Sequence, residues 1–194
     1  EWDLIKHGLT YGLEQSAAWN KSIRYVISSN GWSIDKEKLD WLKPFPVKLE
    51  LSLDGDAATQ NKFRRSLLRG HDSYEEGIPH KAEMIQASGI EHEVIMVVHP
   101  EGVDKMPHNF FHVMDLGFPR VQINFALGAM WSPEQKKRFA SGLHEIGSKL
   151  ETRWAKGQDV SLINLEGQPM PIRLNGEITV DWDGTIYGGN AFLH

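Results

Sequence analysis

Ser52, Asp54 and Asp56 stand at alternate positions in Leu51-Ser52-Leu53-Asp54-Gly55-Asp56, and Arg64-Arg65 follows a short loop later. Two carboxylates beside a hydroxyl and a guanidinium can do acid–base work or hold an anionic ligand. A plainer reading stands beside that one. Asp-Gly-Asp is also a turn whose side chains bond their own backbone, and Arg64, Arg65 and Arg69 also fit a solvated helix face. His108 and His112 at i, i+4 could share a metal, but neither the Glu of a zinc-protease helix nor a third ligand is near them in sequence. His92 and His99 are an odd number of residues apart, so a regular strand points them to opposite faces. His92 then reads as an exposed rim residue and His99 as a loop-opening residue at the productive end. No Ser-His-Asp arrangement, Gly-rich phosphate loop or retaining carboxylate pair is identifiable by spacing.

These residues need elements to position them. Val47 to Leu53 alternates apolar and polar side chains and stops at Asp-Gly-Asp, the pattern of a half-buried strand ending in a turn. Before it, residues 2–18 place Trp2, Ile5, Leu9 and Leu13 on one helical face, residues 22–28 read as a strand, and Ile34, Leu39 and Leu42 repeat at helical spacing until Pro44 and Pro46. After it, residues 61–68 read as a basic helix, 79–87 as a helix closed by Gly89, and 91–99 as a strand. The apolar run 94–98 suggests burial on both faces. Residues 107–115 read as a helix starting at Pro107, and 120–126 as a fourth strand. Ser132-Pro133-Glu134-Gln135 carries the signature of a capping box, and Phe139, Leu143, Ile146, Leu150 and Trp154 then share one face. Residues 177–187 alternate around Asp183-Gly184, the two-residue turn of a β-hairpin.

Helices alternating with strands imply an α/β protein with a parallel sheet and right-handed crossovers. A doubly wound sheet and a partial (β/α) barrel both satisfy that order; the helix-first start favours an incomplete barrel, since parallel sheets are rarely left with a bare first edge. In a barrel the site lies at the C-terminal strand ends, here residues 29–31, 52–56, 99–101 and 124–128.

The 194 residues suit one domain with a real core, and 40% hydrophobic with 24% charged residues is ordinary for a globular protein. A formal charge of −5 argues against nucleic acid as the main partner. No apolar run approaches the roughly 20 residues of a membrane span, and a cytoplasmic location is the default expectation. The absence of cysteine excludes disulfides and thiolate-held zinc or iron–sulfur clusters from these residues.

Three segments resemble the radical S-adenosylmethionine (radical SAM) enzymes of the peptide- and protein-modifying branch, which carry a cysteine-rich, SPASM-like C-terminal extension. Ile27-Ser28-Ser29-Asn30-Gly31 is similar to the family's third-strand Thr-Asn-Gly turn. Leu51-Ser52-Leu53-Asp54-Gly55-Asp56, with Asn61 and Arg64 behind it, resembles the fourth-strand Ser-Leu-Asp-Gly motif and its trailing Asn-x-x-Arg. Ile178-Thr179-Val180-Asp181-Trp182-Asp183-Gly184-Thr185-Ile186-Tyr187 resembles the hairpin that opens the extension. The resemblance implies a partial radical-SAM-like barrel over residues 1–160 and an extension over 161–194. It also implies S-adenosylmethionine and a [4Fe-4S] cluster as cofactors of the intact parent, a peptide or protein substrate, and no nucleic-acid or membrane partner. In its terms Ser52 would hydrogen-bond the ribose or carboxylate of S-adenosylmethionine, Arg64 would pair with the carboxylate, and Asn30 would line the same mouth. Asn124 and the strand 94–98 would lie near the adenine, and Asp54 would brace its own turn.

The family's Cys-x-x-x-Cys-x-x-Cys loop has no counterpart here, and Gly188-Gly189-Asn190 stands where a ligating cysteine would often be. The resemblance would set Glu1-Trp2 just after the family's Gly-Gly-Glu-Pro segment, so the chain reads as a fragment of a longer enzyme that would not by itself generate the 5′-deoxyadenosyl radical. Two alternatives stand beside it. One is a cluster-free relative acting as a peptide-binding or scaffold module; the other is an unrelated barrel enzyme using Asp54, Asp56 and Arg64 on a phosphorylated small molecule.

Overall fold

The computed structural model describes residues 2–166, 178–181 and 183–187. Five strands pair in parallel and in chain order: β1 Tyr25–Ser29, β2 Val47–Ser52, β3 Glu91–Val98, β4 Arg120–Phe125 and β5 Ser161–Leu162. The order never reverses, so the sheet lacks the switch point of a doubly wound fold and has the succession of a barrel wall. β1 and β5 do not pair with each other, and the wall is open: this is an α/β fold built as a partial (β/α) barrel.

Alternation gives the wall two unlike faces. Leu49, Leu51, Leu53, Val94, Met96, Val98, Val121 and Ile123 are buried on the convex side beneath the helices. There they join Phe110, Phe118, Ile146 and Leu150, and each such side chain contributes about 2 kcal/mol by leaving water. The register Ser52↔Ile95↔Gln122 and Val97↔Asn124 sets the other parity on the concave side. Ile95 and Val97 are only half-buried, which corrects the expectation that β3 is covered on both faces. On that side of the strand Glu93, nearer its start, is buried.

The helices begin where side chains can take their first N–H groups. α1 spans Trp2–Ala18; α2, Lys36–Leu42, starts at Asp35, which accepts from Lys38 N. α3 covers Ala57–Phe63, starting at Asp56 and stopping before Arg64. The expected helix over 61–68 is therefore displaced: Asp56 starts it earlier, and Arg64 turns back toward Asp54. α4 is Ile78–Ala87; a 3₁₀ turn over Pro100–Lys105 leads into α5, Met106–Asp115. α6, Pro133–Ala155, carries the expected capping box, with Ser132 and Gln135 each accepting from the other's backbone.

β5 is too short for periodicity to disclose. Its ladder is extended by Asn164, whose amide accepts from Ile123 N at 2.7 Å and donates to Ile123 O at 2.9 Å. At the C-terminal end β6, Thr179–Val180, pairs antiparallel with β7, Ile186–Tyr187, across a turn in which Gly184 has φ 86°. Glu1, Trp182 and Gly188-Gly189-Asn190, which figured in the sequence argument, lie outside the described residues. Among the described residues no helix is long and apolar enough to cross a membrane.

Candidate functional site

The end of β2 is held by a network of side chains, and it begins with a backbone problem. β2 leaves the sheet after Ser52 while β3 continues, which would strand the N–H of Val97. Asp54, 4% exposed, supplies the acceptor: its Oδ1 takes Val97 N at 2.9 Å, and its Oδ2 takes Arg64 Nε at 2.8 Å. Asp54 therefore braces the neighbouring strand as well as its own turn. Its N–H donates to the buried Gln60 Oε1 at 2.9 Å. Gly55 has φ 137°, and a Cβ there would run into the Asn109 side chain, whose Oδ1 accepts from Asp56 N at 3.1 Å.

Asp56 closes the turn by accepting from Thr59 N at 2.8 Å at the start of α3. Burial pushes the Asp56 carboxyl up, but the Thr59 hydrogen bonds, with Lys105 and His108 nearby, bring it out below the usual carboxylate range. Asn61 fastens the next loop: it donates to Asp72 Oδ2 at 2.8 Å and accepts from Ser73 Oγ at 2.8 Å and Tyr74 N at 3.2 Å. The Ser-Leu-Asp-Gly and Asn-x-x-Arg residues thus have a structural account in full, apart from Ser52 and the far end of Arg64.

Those two groups face differently. Ser52 lies on the concave side in register with Ile95, and among the described residues its hydroxyl meets no hydrogen-bond partner. Asp54 holds Arg64 only through Nε, so both terminal guanidinium nitrogens stay available for a bidentate acceptor. Across the strip, Gln122 Nε2 donates to Asn124 Oδ1 at 3.0 Å, and Asn124 sits in register with Val97. Polar groups from β2 and β4 therefore flank the half-buried apolar Ile95 and Val97.

Nearer the N-terminal strand ends the same face is filled with charge. Lys48 reaches Glu93 at 2.6 Å and Glu50 at 3.5 Å, Ser28 donates to Glu50 at 3.1 Å, and Arg24 pairs with Glu91 at 2.5 Å. Sequence reasoning misses this floor. Its signal is present, in polar residues of one parity on β2 and β3, but which parity faces the barrel needs the register.

No family model matches the sequence, and no curated protein matches it. Solved structures do. Native anSMEcpe with bound AdoMet and Kp18Cys peptide aligns over 98% of this chain and 57% of that one, with a TM-score of 0.78 and 18% identity. A histidine-tagged form of anSMEcpe with bound AdoMet aligns over 98% of this chain and 54% of that one, with a TM-score of 0.77 and 18% identity. This chain shares its fold with anSMEcpe. At such identity the likeness is one of fold, the parallel α/β wall described above. The chain spans little more than half the length of these neighbours.

The other residues singled out in the sequence take separate positions. Asn30 is exposed after β1 and caps its own turn, accepting from Trp32 N at 3.1 Å. Lys81 steadies that turn by donating to Gly31 O at 2.7 Å and Trp32 O at 2.6 Å. His99 stacks on Phe63 with centroids 4.8 Å apart and opens the 3₁₀ turn. His92 is half-buried against Phe118 on the convex side, not an exposed rim residue. His112 is engaged by Tyr74 at 2.6 Å, and His108 lies 3.5 Å from Asp56, so the i, i+4 pair serves two different neighbours. Among the described residues no group of three His, Cys, Asp or Glu side chains could hold a metal ion.

Proposed function

We propose that this chain forms part of the cofactor- and substrate-facing wall of a radical SAM enzyme that acts on a peptide or protein. The observation that supports this reading is the concave strip at the C-terminal strand ends. There Ser52 and the Gln122–Asn124 pair flank Ile95 and Val97, beside a guanidinium with two uncommitted nitrogens. That donor set fits AdoMet: Arg64 and Ser52 for the amino-acid carboxylate or ribose, Asn124 with the apolar pair for the adenine, and Asn30 at the rim. AdoMet supplies the hydrogen-abstracting group in this family. In this chain Asp54 acts through Arg64, holding its Nε so that the other nitrogens are presented in a fixed direction.

A [4Fe-4S] cluster does not fit these residues. The sequence has no cysteine, so no thiolate in it can ligate iron. The reading requires ligands from outside these 194 residues. The same fact favours a second reading, in which the wall binds a peptide without radical chemistry. The third idea, acid–base work on a phosphorylated small molecule, loses support because both turn carboxylates are committed, Asp54 to Val97 and Arg64 and Asp56 to α3. Because β5 pairs with β4, we place the start of the C-terminal extension after Leu162 instead of after residue 160.

Calorimetry with AdoMet tests the site. The chain is expected to bind it, with Ser52→Ala and Arg64→Lys each weakening affinity by about tenfold, the cost of one hydrogen bond to a charged group or one bidentate contact. No binding removes the first reading. Binding unchanged in both variants removes the site assignment.

A further inference from the structure

We propose that the loop of residues 64–71 is a docking surface for an acidic, leucine-rich segment of a peptide. It rests on the peptide reading above and extends it past Arg64, the last residue of the strand-end motifs, to residues 65–71, which none of them includes. Three contacts put this loop at the C-terminal mouth. Arg64 reaches Asp54 at 2.8 Å at the end of β2, Phe63 stacks on His99 after β3, and His71 lies against Trp32 after β1 with centroids 5.3 Å apart. A ligand emerging from the concave strip therefore meets the loop first.

The loop is anchored behind its tip, through Asn61 to residues 72–74 and through Tyr74 to His112, so its surface is presented on a fixed base. Its charges are unevenly used. Lys62 pairs with Glu101, Arg64 with Asp54 and His71 with Glu76, but among the described residues Arg65 and Arg69 have no carboxylate partner. Between them Leu67 is 99% exposed and Leu68 59% exposed. Two adjacent leucines in water between two such cations are a recognition surface with both an apolar and an electrostatic component.

The occupant follows from charge. The whole chain carries −5, but this loop sets two arginines without carboxylate partners on either side of two exposed leucines, so an acidic segment with apolar residues is drawn to it. A nucleic acid would need a wider array of cations than two arginines, and it has no use for the leucines. An acidic segment with apolar residues satisfies both parts.

The test is fluorescence anisotropy on this chain with three labelled probes: a peptide of alternating Glu and Leu, its Lys-for-Glu counterpart, and a single-stranded DNA oligonucleotide. The acidic peptide is expected to bind in preference, with affinity falling as salt screens the charges. Arg65→Glu with Arg69→Glu is expected to weaken it by about tenfold, and Leu67→Ser with Leu68→Ser by about fivefold. AdoMet calorimetry on the same variants is expected to match the parent. Equal binding of both peptides, a preference for the oligonucleotide, or variants that bind like the parent would overturn the docking surface. Peptide binding in a chain that takes no AdoMet would overturn the cofactor site and leave this surface standing.

Discussion

Ser52 and Asp54 are two residues apart on the same side of the same chain segment, yet their surroundings are opposite. Asp54 is spent on the fold: Val97 N, Arg64 Nε and, through its own N–H, Gln60 use it completely. Ser52 faces a half-open strip with no partner among the described residues. Both belong to the stretch that most invites a catalytic reading. The difference teaches that polar residues at a strand end divide into those that complete the backbone's hydrogen bonding and those left over. The second class is where a ligand must be sought.

The sharpest way to break this division is to attack the turn itself. Gly55→Ala must adopt φ 137°, where a side chain is strained, and must also push its Cβ into Asn109. Strain and overpacking together are expected to cost about 4 kcal/mol, read as a lower urea midpoint at unchanged m-value. Asp54→Ala comes next. It strands the Val97 N–H and removes the partner of Arg64, for about 3 kcal/mol. Asp54→Asn keeps an acceptor for Val97 and is expected to lose about half of that. If Asp54→Ala proves neutral, the contrast between the two residues collapses.

Much of the wall is legible because apolar alternation and helical spacing are local signals. β2 and β3, and α6 with its capping box, announce themselves within ten to twenty residues. α3 is expected too late because the basic Lys62-Arg64-Arg65 run outweighs Asp56, although Asp56-x-x-Thr59 is itself a helix start. The two-residue β5 carries no period. The Asp54–Arg64 and Asp56–Asn109 partnerships are not legible at all. They span α3 or bridge to α5, and no spacing rule reports which polar residue a turn will find across the fold. For the same reason the floor of Lys48, Glu50 and Glu93 stays hidden until the register shows which parity faces inward.

Asp56 offers a gentler probe, since it can be altered by pH alone. Its folded-state pKa lies below the ordinary value, so as pH falls the unfolded chain takes up this proton first. Its contribution is complete above about pH 4, the unfolded value, and disappears as pH falls through the lower folded one. Asp56→Asn retains a good cap, so it is expected to leave neutral stability within about 0.5 kcal/mol and to flatten the acid limb of a stability–pH curve. An unchanged acid limb would mean that Thr59 and its neighbours do not favour the charged form.

The smallest stability effect belongs to the residue of greatest functional interest. Ser52→Ala removes a hydroxyl that holds nothing described in the fold and sits on a half-exposed strand face, so its unfolding free energy should move by no more than about 0.5 kcal/mol. Measured on one protein preparation, urea unfolding and AdoMet calorimetry then separate the two classes of strand-end residue. Asp54→Asn is expected to lower stability, and to weaken AdoMet only in so far as Arg64 loses its orientation; Ser52→Ala is expected to weaken AdoMet and leave stability alone. Should Ser52→Ala instead destabilise the chain by about as much as Asp54→Asn, then Ser52 belongs to the fold after all. The leftover polar groups would then be reduced to Arg64 and the amides of β4.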